Sequence, residues 1–114
     1  MLLTCMLPMT MSENAEKFHV YVDDNARYMD ESCRRLHGVY ATYEEAYRVC
    51  RSIVEDSVRG VFDYDNAGEE NYSLYLQYGE SPWIVPDNSS RPFSAFDNAR
   101  EYIQSLIKLK PFLD

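Results

Sequence analysis

Glycine, cysteine and basic residues are scarce in this 114-residue chain, and each scarcity closes off a class of function. Four glycines, none set in a Walker or dinucleotide pattern, leave little bare backbone to cradle a phosphate, and no G-x-S-x-G nucleophile elbow occurs. The three cysteines, Cys5, Cys33 and Cys50, include no C-x-x-C pair. A disulfide framework or a zinc knuckle needs more cysteines at closer spacing, so the expected compartment is a reducing cytoplasm. Eleven Lys plus Arg stand against nineteen Asp plus Glu, a formal charge of −8. Such a chain lacks the clustered cations that displace counterions from a nucleic acid or an anionic membrane. No apolar run approaches the roughly 20 residues that span a bilayer. Together these absences point to a protein without a cofactor, not an enzyme, whose partner is another protein.

What is present reads as one domain. Hydrophobic residues make up 46% and charged residues 26%, the balance of an ordinary globular chain rather than a disordered one. Residues 1–12 carry no charge and four methionines, with no basic stretch to make a secretory signal. They read as a disordered leader, with 13–114 as a single α+β domain.

Phe18 to Val22 alternates and is rich in β-branched and aromatic residues, which predicts a strand with Phe18, Val20 and Val22 facing the core. Asp23-Asp24-Asn25 ends it in a turn. A second strand is predicted over Leu36 to Ala41, with Gly38 marking a bulge. Thr42 and Glu45 form a capping box ahead of a helix whose apolar stripe is Tyr43, Ala46, Tyr47, Cys50, Ile53, Val54 and Val58, with Gly60 as its C′ residue. The segment Tyr72 to Tyr78 is ambiguous. Tyr72, Leu74, Leu76 and Tyr78 alternate as a strand would, while a short helix capped by Gly79 fits nearly as well, and the strand is slightly favoured. Trp83-Ile84-Val85 reads as a short buried strand. Ser94 and Asp97 cap a last helix carrying Phe96, Ala99, Ile103, Leu106 and Ile107 on one face and stopped by Pro111.

The expected fold is therefore a small, mainly antiparallel sheet of three or four strands with two amphipathic helices on one face. Tyr40 to Ala46 and Phe93 to Ala99 share an order of aromatic, small and acidic residues. A duplicated ββα unit and convergent strand-to-helix punctuation explain that match equally well.

The fragments Val20-Tyr21-Val22-Asp23-Asp24-Asn25, Tyr28-Met29-Asp30-Glu31, Tyr43-Glu44-Glu45-Ala46, Tyr78-Gly79-Glu80-Ser81-Pro82-Trp83-Ile84 and Pro92-Phe93-Ser94-Ala95-Phe96-Asp97 come in an order that resembles a family of short uncharacterised bacterial proteins. The resemblance runs from about Lys17 to Tyr102. It implies a bacterial or phage origin and a cytoplasmic single domain, and it implies no catalytic residue.

Four groups of residues carry candidate chemistry. Asp63-Tyr64-Asp65-Asn66-Ala67-Gly68 copies part of a calcium loop, but Ala67 supplies no side-chain oxygen and Leu74 stands where the bidentate Glu is needed, so an acidic turn is expected. Asp23, Asp24 and Asp30 cluster after a strand, where carboxylates can hold a divalent metal. They define the competing reading, a small enzyme or metal-binding domain. His19 and His37 could face each other on neighbouring strands, though a third ligand or a nucleophile is not evident. The fourth group is the most distinctive. From Gly60 to Ser90 there is no Lys or Arg, while Asp63, Asp65, Glu69, Glu70 and Glu80 accumulate beside Tyr75 and Tyr78. Tyrosines concentrate at interface hot spots, and uncompensated carboxylates gain from a cationic partner. These seven residues are the expected partner-binding surface of a small acidic binding or regulatory protein. One form of that reading is a phage or mobile-element inhibitor that mimics nucleic-acid charge.

Overall fold

The computed structural model describes residues 17–27 and 34–113, with the backbone alone for 111–113. Strand β1 (Phe18–Asp24) is the middle of a three-stranded antiparallel sheet, between β2 (Arg35–Tyr40) and β3 (Glu80–Val85). Its period-two pattern divides as expected: Val20 and Val22 are wholly buried and Phe18 packs against the core. The β1–β2 register runs Phe18 opposite Tyr40 and Val20 opposite Gly38, then shifts so that Tyr21 meets Leu36. His37 is the extra residue, so the bulge sits beside the glycine that marks it. A Cβ on Gly38 would lie 2.6 Å from the Tyr40 hydroxyl, so the missing side chain is what lets that ring fold back.

Three helices are described: α1 (Tyr43–Val61), α2 (Gly68–Tyr78) and α3 (Ala95–Leu113). The capping box at α1 closes between side chains. Thr42 Oγ1 accepts the Glu45 amide at 3.1 Å and donates to the Glu45 carboxylate at 3.2 Å. Ala46, Cys50, Val54 and Val58, each four residues apart, form the buried seam of α1, while Ile53 is only half-buried on its flank. Gly60 is not the C′ residue. The helix continues through it and is closed by the Phe62 amide on the Val58 carbonyl at 2.9 Å. Ser94 caps α3 through the Asp97 amide at 3.3 Å, and Ala99 and Ile103 face the core. Pro111 does not stop α3, which runs on to Leu113 at the expense of one backbone bond.

The segment 72–78 is a helix, not the favoured strand, and the reason is Asn71. That residue is 1% exposed. Its Oδ1 accepts the Asp63 amide at 2.9 Å, and its Nδ2 donates to the carbonyls of Asp63 at 3.0 Å and of Asn66 and Ala67 at 3.3 Å. One buried amide thus ties the turn after α1 to the first turn of α2, whose N-cap Ala67 contributes no side-chain bond. Tyr75, one turn further, is also fully buried. A strand would put Ser73 and Gln77 on the same face as Asn71 and Tyr75, yet both are exposed, and helical spacing separates them from the buried pair. The ββα repeat fails for the same reason: the first half is ββα, and the second is αβα.

Candidate functional site

The seven expected partner-binding residues fall in two places. Asp63 and Asp65 lie in the turn before α2, and Glu69 and Glu70 in its first turn, where carboxylates favour the positive end of the helix. Tyr78, 61% exposed, and Glu80 lie at the other end of the helix, about 15 Å away at the rise of an α-helix. Tyr75 is not a surface residue. Its ring is fully buried, its hydroxyl donates to the Glu80 carbonyl at 2.8 Å, and Ser81 Oγ lies 3.2 Å away. Burial pushes its phenol up to about 12. The alternation that suggested an exposed Tyr75 belonged to a strand that does not form.

The stretch without bases in sequence is not without them in space. Arg35 reaches Glu80 at 2.9 Å and Arg100 reaches Glu69 at 3.6 Å, while Lys110 donates to the Tyr64 carbonyl at 3.1 Å. The Arg100 guanidinium also lies 4.1 Å over the Tyr72 ring. Asp63, Asp65 and Glu70 make no ion pair among the described residues. Asp63 Oδ1 accepts the Asp65 amide at 2.8 Å, the bond of an acidic turn. On α2 the outer side chains Glu69, Glu70, Ser73, Leu76, Gln77 and Tyr78 are all exposed.

Of the alternative acidic group, Asp23 and Asp24 each have a partner of their own. Asp23 Oδ1 accepts from Arg34 Nε at 2.7 Å, and Asp24 Oδ1 accepts the Ala26 amide at 3.0 Å. Asp30 lies outside the described residues, as do Tyr28, Cys33 and residues 1–12. No group of three or more His, Cys, Asp or Glu side chains that could hold a metal ion occurs among the described residues. His19 stands opposite Val39, and His37 is the bulged residue between the partners of Val20 and Tyr21, so the two histidines do not pair.

Two features escape a sequence reading. The first is the sheet face turned away from the helices. Strand register puts His19 in a row with Val39 and Val85, and Tyr21 in a row with Leu36 and Trp83. Leu36, Val39 and Val85 are exposed, so Trp83-Ile84-Val85 is a strand buried on one face only. Tyr21 stacks on Trp83 with centroids 5.0 Å apart, and the Arg34 guanidinium also lies 5.0 Å from the Trp83 ring centre. The indole N–H is closed off from solvent and has no hydrogen-bond partner among the described residues.

The second is a cleft of about 480 Å³ between α1 and α3, lined by Tyr47, Arg51, Asp97, Asn98, Glu101 and Tyr102 among others. Arg91 closes one end, ion-paired to Glu44 and lying 4.1 Å over the Tyr47 ring. Next to it the Tyr43 hydroxyl reaches Asp87 Oδ1 at 2.8 Å and the Arg91 carbonyl at 2.7 Å. Burial, and after it the Asp87 carboxylate, raises the Tyr43 phenol above its ordinary range. The signal for this cleft was split between helices some fifty residues apart, so no local motif could have shown it.

No helix among the described residues is long and apolar enough to cross a membrane. Comparison of the chain with family models, curated proteins and solved structures gives no match.

Proposed function

We propose that this protein is a non-catalytic binding and regulatory domain of the bacterial cytoplasm that presents an acidic face to a cationic surface of a protein partner. It works without a cofactor and without contacting nucleic acid itself. In its most specific form it is an inhibitor of phage or mobile-element origin that sets carboxylates where its target expects phosphates. One observation supports the reading above others: Asp63, Asp65 and Glu70 are exposed with no ion pair among the described residues, and Leu76 and Tyr78 continue the same helix as exposed apolar side chains. Carboxylates of this kind steer encounter, while exposed aromatic and aliphatic groups hold the complex once formed.

A photoreactive residue in place of Leu76 should crosslink the partner in the native host, and the neutral variant D63N/D65N/E69Q/E70Q should lose that product. With the partner purified, the on-rate should fall as salt shortens the screening length to about 8 Å, and the neutral variant should flatten that dependence. Undiminished crosslinking by the neutral variant, with loss of function in D23N/D24N, would replace this reading with the metal-binding one.

A further inference from the structure

The two edges of the sheet are not equivalent. Pro82 on β3 stands opposite Val22 and has no N–H to give, so its backbone groups occupy a ladder position that points away from β1. Glu80, two residues back, points the same way: its amide bonds Ser57 Oγ and its carbonyl accepts the Tyr75 hydroxyl, each at 2.8 Å. Helices α1 and α2 thus take up part of the β3 edge. The same phase makes Val20 and Val22 of β1 bond towards β2. Leu36 and Val39, opposite Tyr21 and His19, therefore turn their N–H and C=O groups outward. Those groups have no hydrogen-bond partner among the described residues. Because His37 is the extra residue of the bulge, Leu36 and Val39 lie on one face although three apart, and both are exposed. Helix α1 packs chiefly against β3, on the far side of the sheet from this edge.

An open edge of this kind accepts any strand unless charge selects one. β2 is electrically graded along its length. Arg34 and Arg35 stand at its start, and Glu44 and Glu45 follow its end in the first turn of α1. A parallel copy would set like charge on like. An antiparallel copy sets the arginines of each chain beside the glutamates of the other, and Glu45 makes no ion pair among the described residues. Arg35 gives one nitrogen to Glu80, which leaves donors for that contact. We infer that β2 pairs with β2 of a second copy, about a two-fold axis between His37 and Gly38, to make a six-stranded sheet. Leu36 then faces Val39 of the other copy and exchanges two backbone bonds with it, and symmetry doubles these to four. Six residues a side bury less than the roughly 800 Å² per partner of a lasting complex. The dimer is therefore transient, with a dissociation constant of roughly 10 μM to 1 mM. The acidic face of α2 takes no part in it.

The test is sedimentation equilibrium of the full chain up to about 1 mM, with amide hydrogen exchange on the same samples. Dimer should accumulate with concentration, and exchange at Leu36 and Val39 should slow in proportion to the monomer that remains. Val39→Pro removes an outward N–H that the monomer does not use, as Pro82 does on the other edge. It should weaken dimerisation by at least about tenfold. Glu45→Gln keeps the helix cap and removes only the charge. If net charge alone governed association, losing a carboxylate from a chain of −8 would strengthen it, whereas loss of the contact with the arginines should weaken it. Exchange is read on the unaltered protein, so the outcome does not depend on Val39→Pro folding. A monomer at about 1 mM, a dimer that Val39→Pro leaves intact, equal or tighter association of Glu45→Gln, or slowed exchange that spares Leu36 and Val39 would overturn the assignment.

Discussion

At Gly60 a Cβ would meet nothing within 4 Å, whereas at Gly79 it would lie 2.5 Å from the Tyr75 ring and 2.8 Å from the Ser57 hydroxyl. Neither of those neighbours yields easily. Tyr75 is fully buried, and Ser57 Oγ accepts the Glu80 amide at 2.8 Å. Gly60→Ala should therefore stabilise the protein by about 0.5–1 kcal/mol, the helix-propensity difference. Gly79→Ala should destabilise it by about 1–3 kcal/mol through overpacking. Urea midpoints at constant slope read both effects, and a common sign would mean that α1 ends before Gly60. The same residue scale sets an alkaline limit. Burial first, with the Asp87 charge second, pushes the Cys50 thiol from 9.0 up to about 12, and burial raises Tyr75 from 10.0 to about 12. Both groups fold in the neutral form. The stability they contribute is thus complete below about pH 9 and drains away as pH climbs toward 12, because the unfolded chain ionises first. Melting temperature should hold to about pH 9 and then fall, and in Cys50→Ala the fall should begin about a unit later, near the ordinary tyrosine range. Parallel curves for the two proteins between pH 9 and 10 would show that Cys50 ionises as freely folded as unfolded.

Among the elements, α2 depends on one side chain. Asn71→Ala should cost about 2–3 kcal/mol, since it strips four bonds from buried or half-buried backbone groups that find no substitute. In α3, Ile103→Ala should cost about 2–4 kcal/mol, while Ile53→Ala in α1 should cost clearly less because its side chain is only half-buried. Equal losses at the two isoleucines in thermal unfolding would mean that α1 is rotated from its described seam. The contrast between α1 and α2 explains what sequence reading could reach. Thr42 and Glu45 bond each other, and the β1 valines alternate, so both elements announce themselves within a few residues. Asn71 does not, because an amide looks like a surface group until the carbonyls around it are in place. The favoured strand over Tyr72–Tyr78 failed on that point. The acidic candidates were legible as residues, but the ion pairs of Glu80 with Arg35 and of Glu69 with Arg100, and the burial of Tyr75, come from distant parts of the chain. The α1–α3 cleft has the same origin.

For the molecule as a whole, the governing asymmetry is a sheet covered by helices on one side. Ile84 and Val85 are neighbours on β3, one 3% and the other 40% exposed. Ile84→Ala should cost about 2–4 kcal/mol and Val85→Thr less than about 0.5 kcal/mol in chemical denaturation. A large loss at Val85 would show that the outer face is covered in solution. Leu36→Glu, on the same outer face, should be tolerated equally well and should make the protein more soluble.

The strand order β2-β1-β3 also has a history in time. Of the described strands β1 is the first to be synthesised and the last to be completed, because its contacts with β3, such as Val20 with Ile84, wait for about sixty further residues. At a ribosomal pace of roughly 5–20 residues per second, that wait lasts several seconds. Late in that interval β1, β2 and α1 have all been made, yet β1 still lacks its β3 partner. The nascent chain is then most open to wrong pairing, and its release into the native state hangs on Pro82-Trp83-Ile84 arriving.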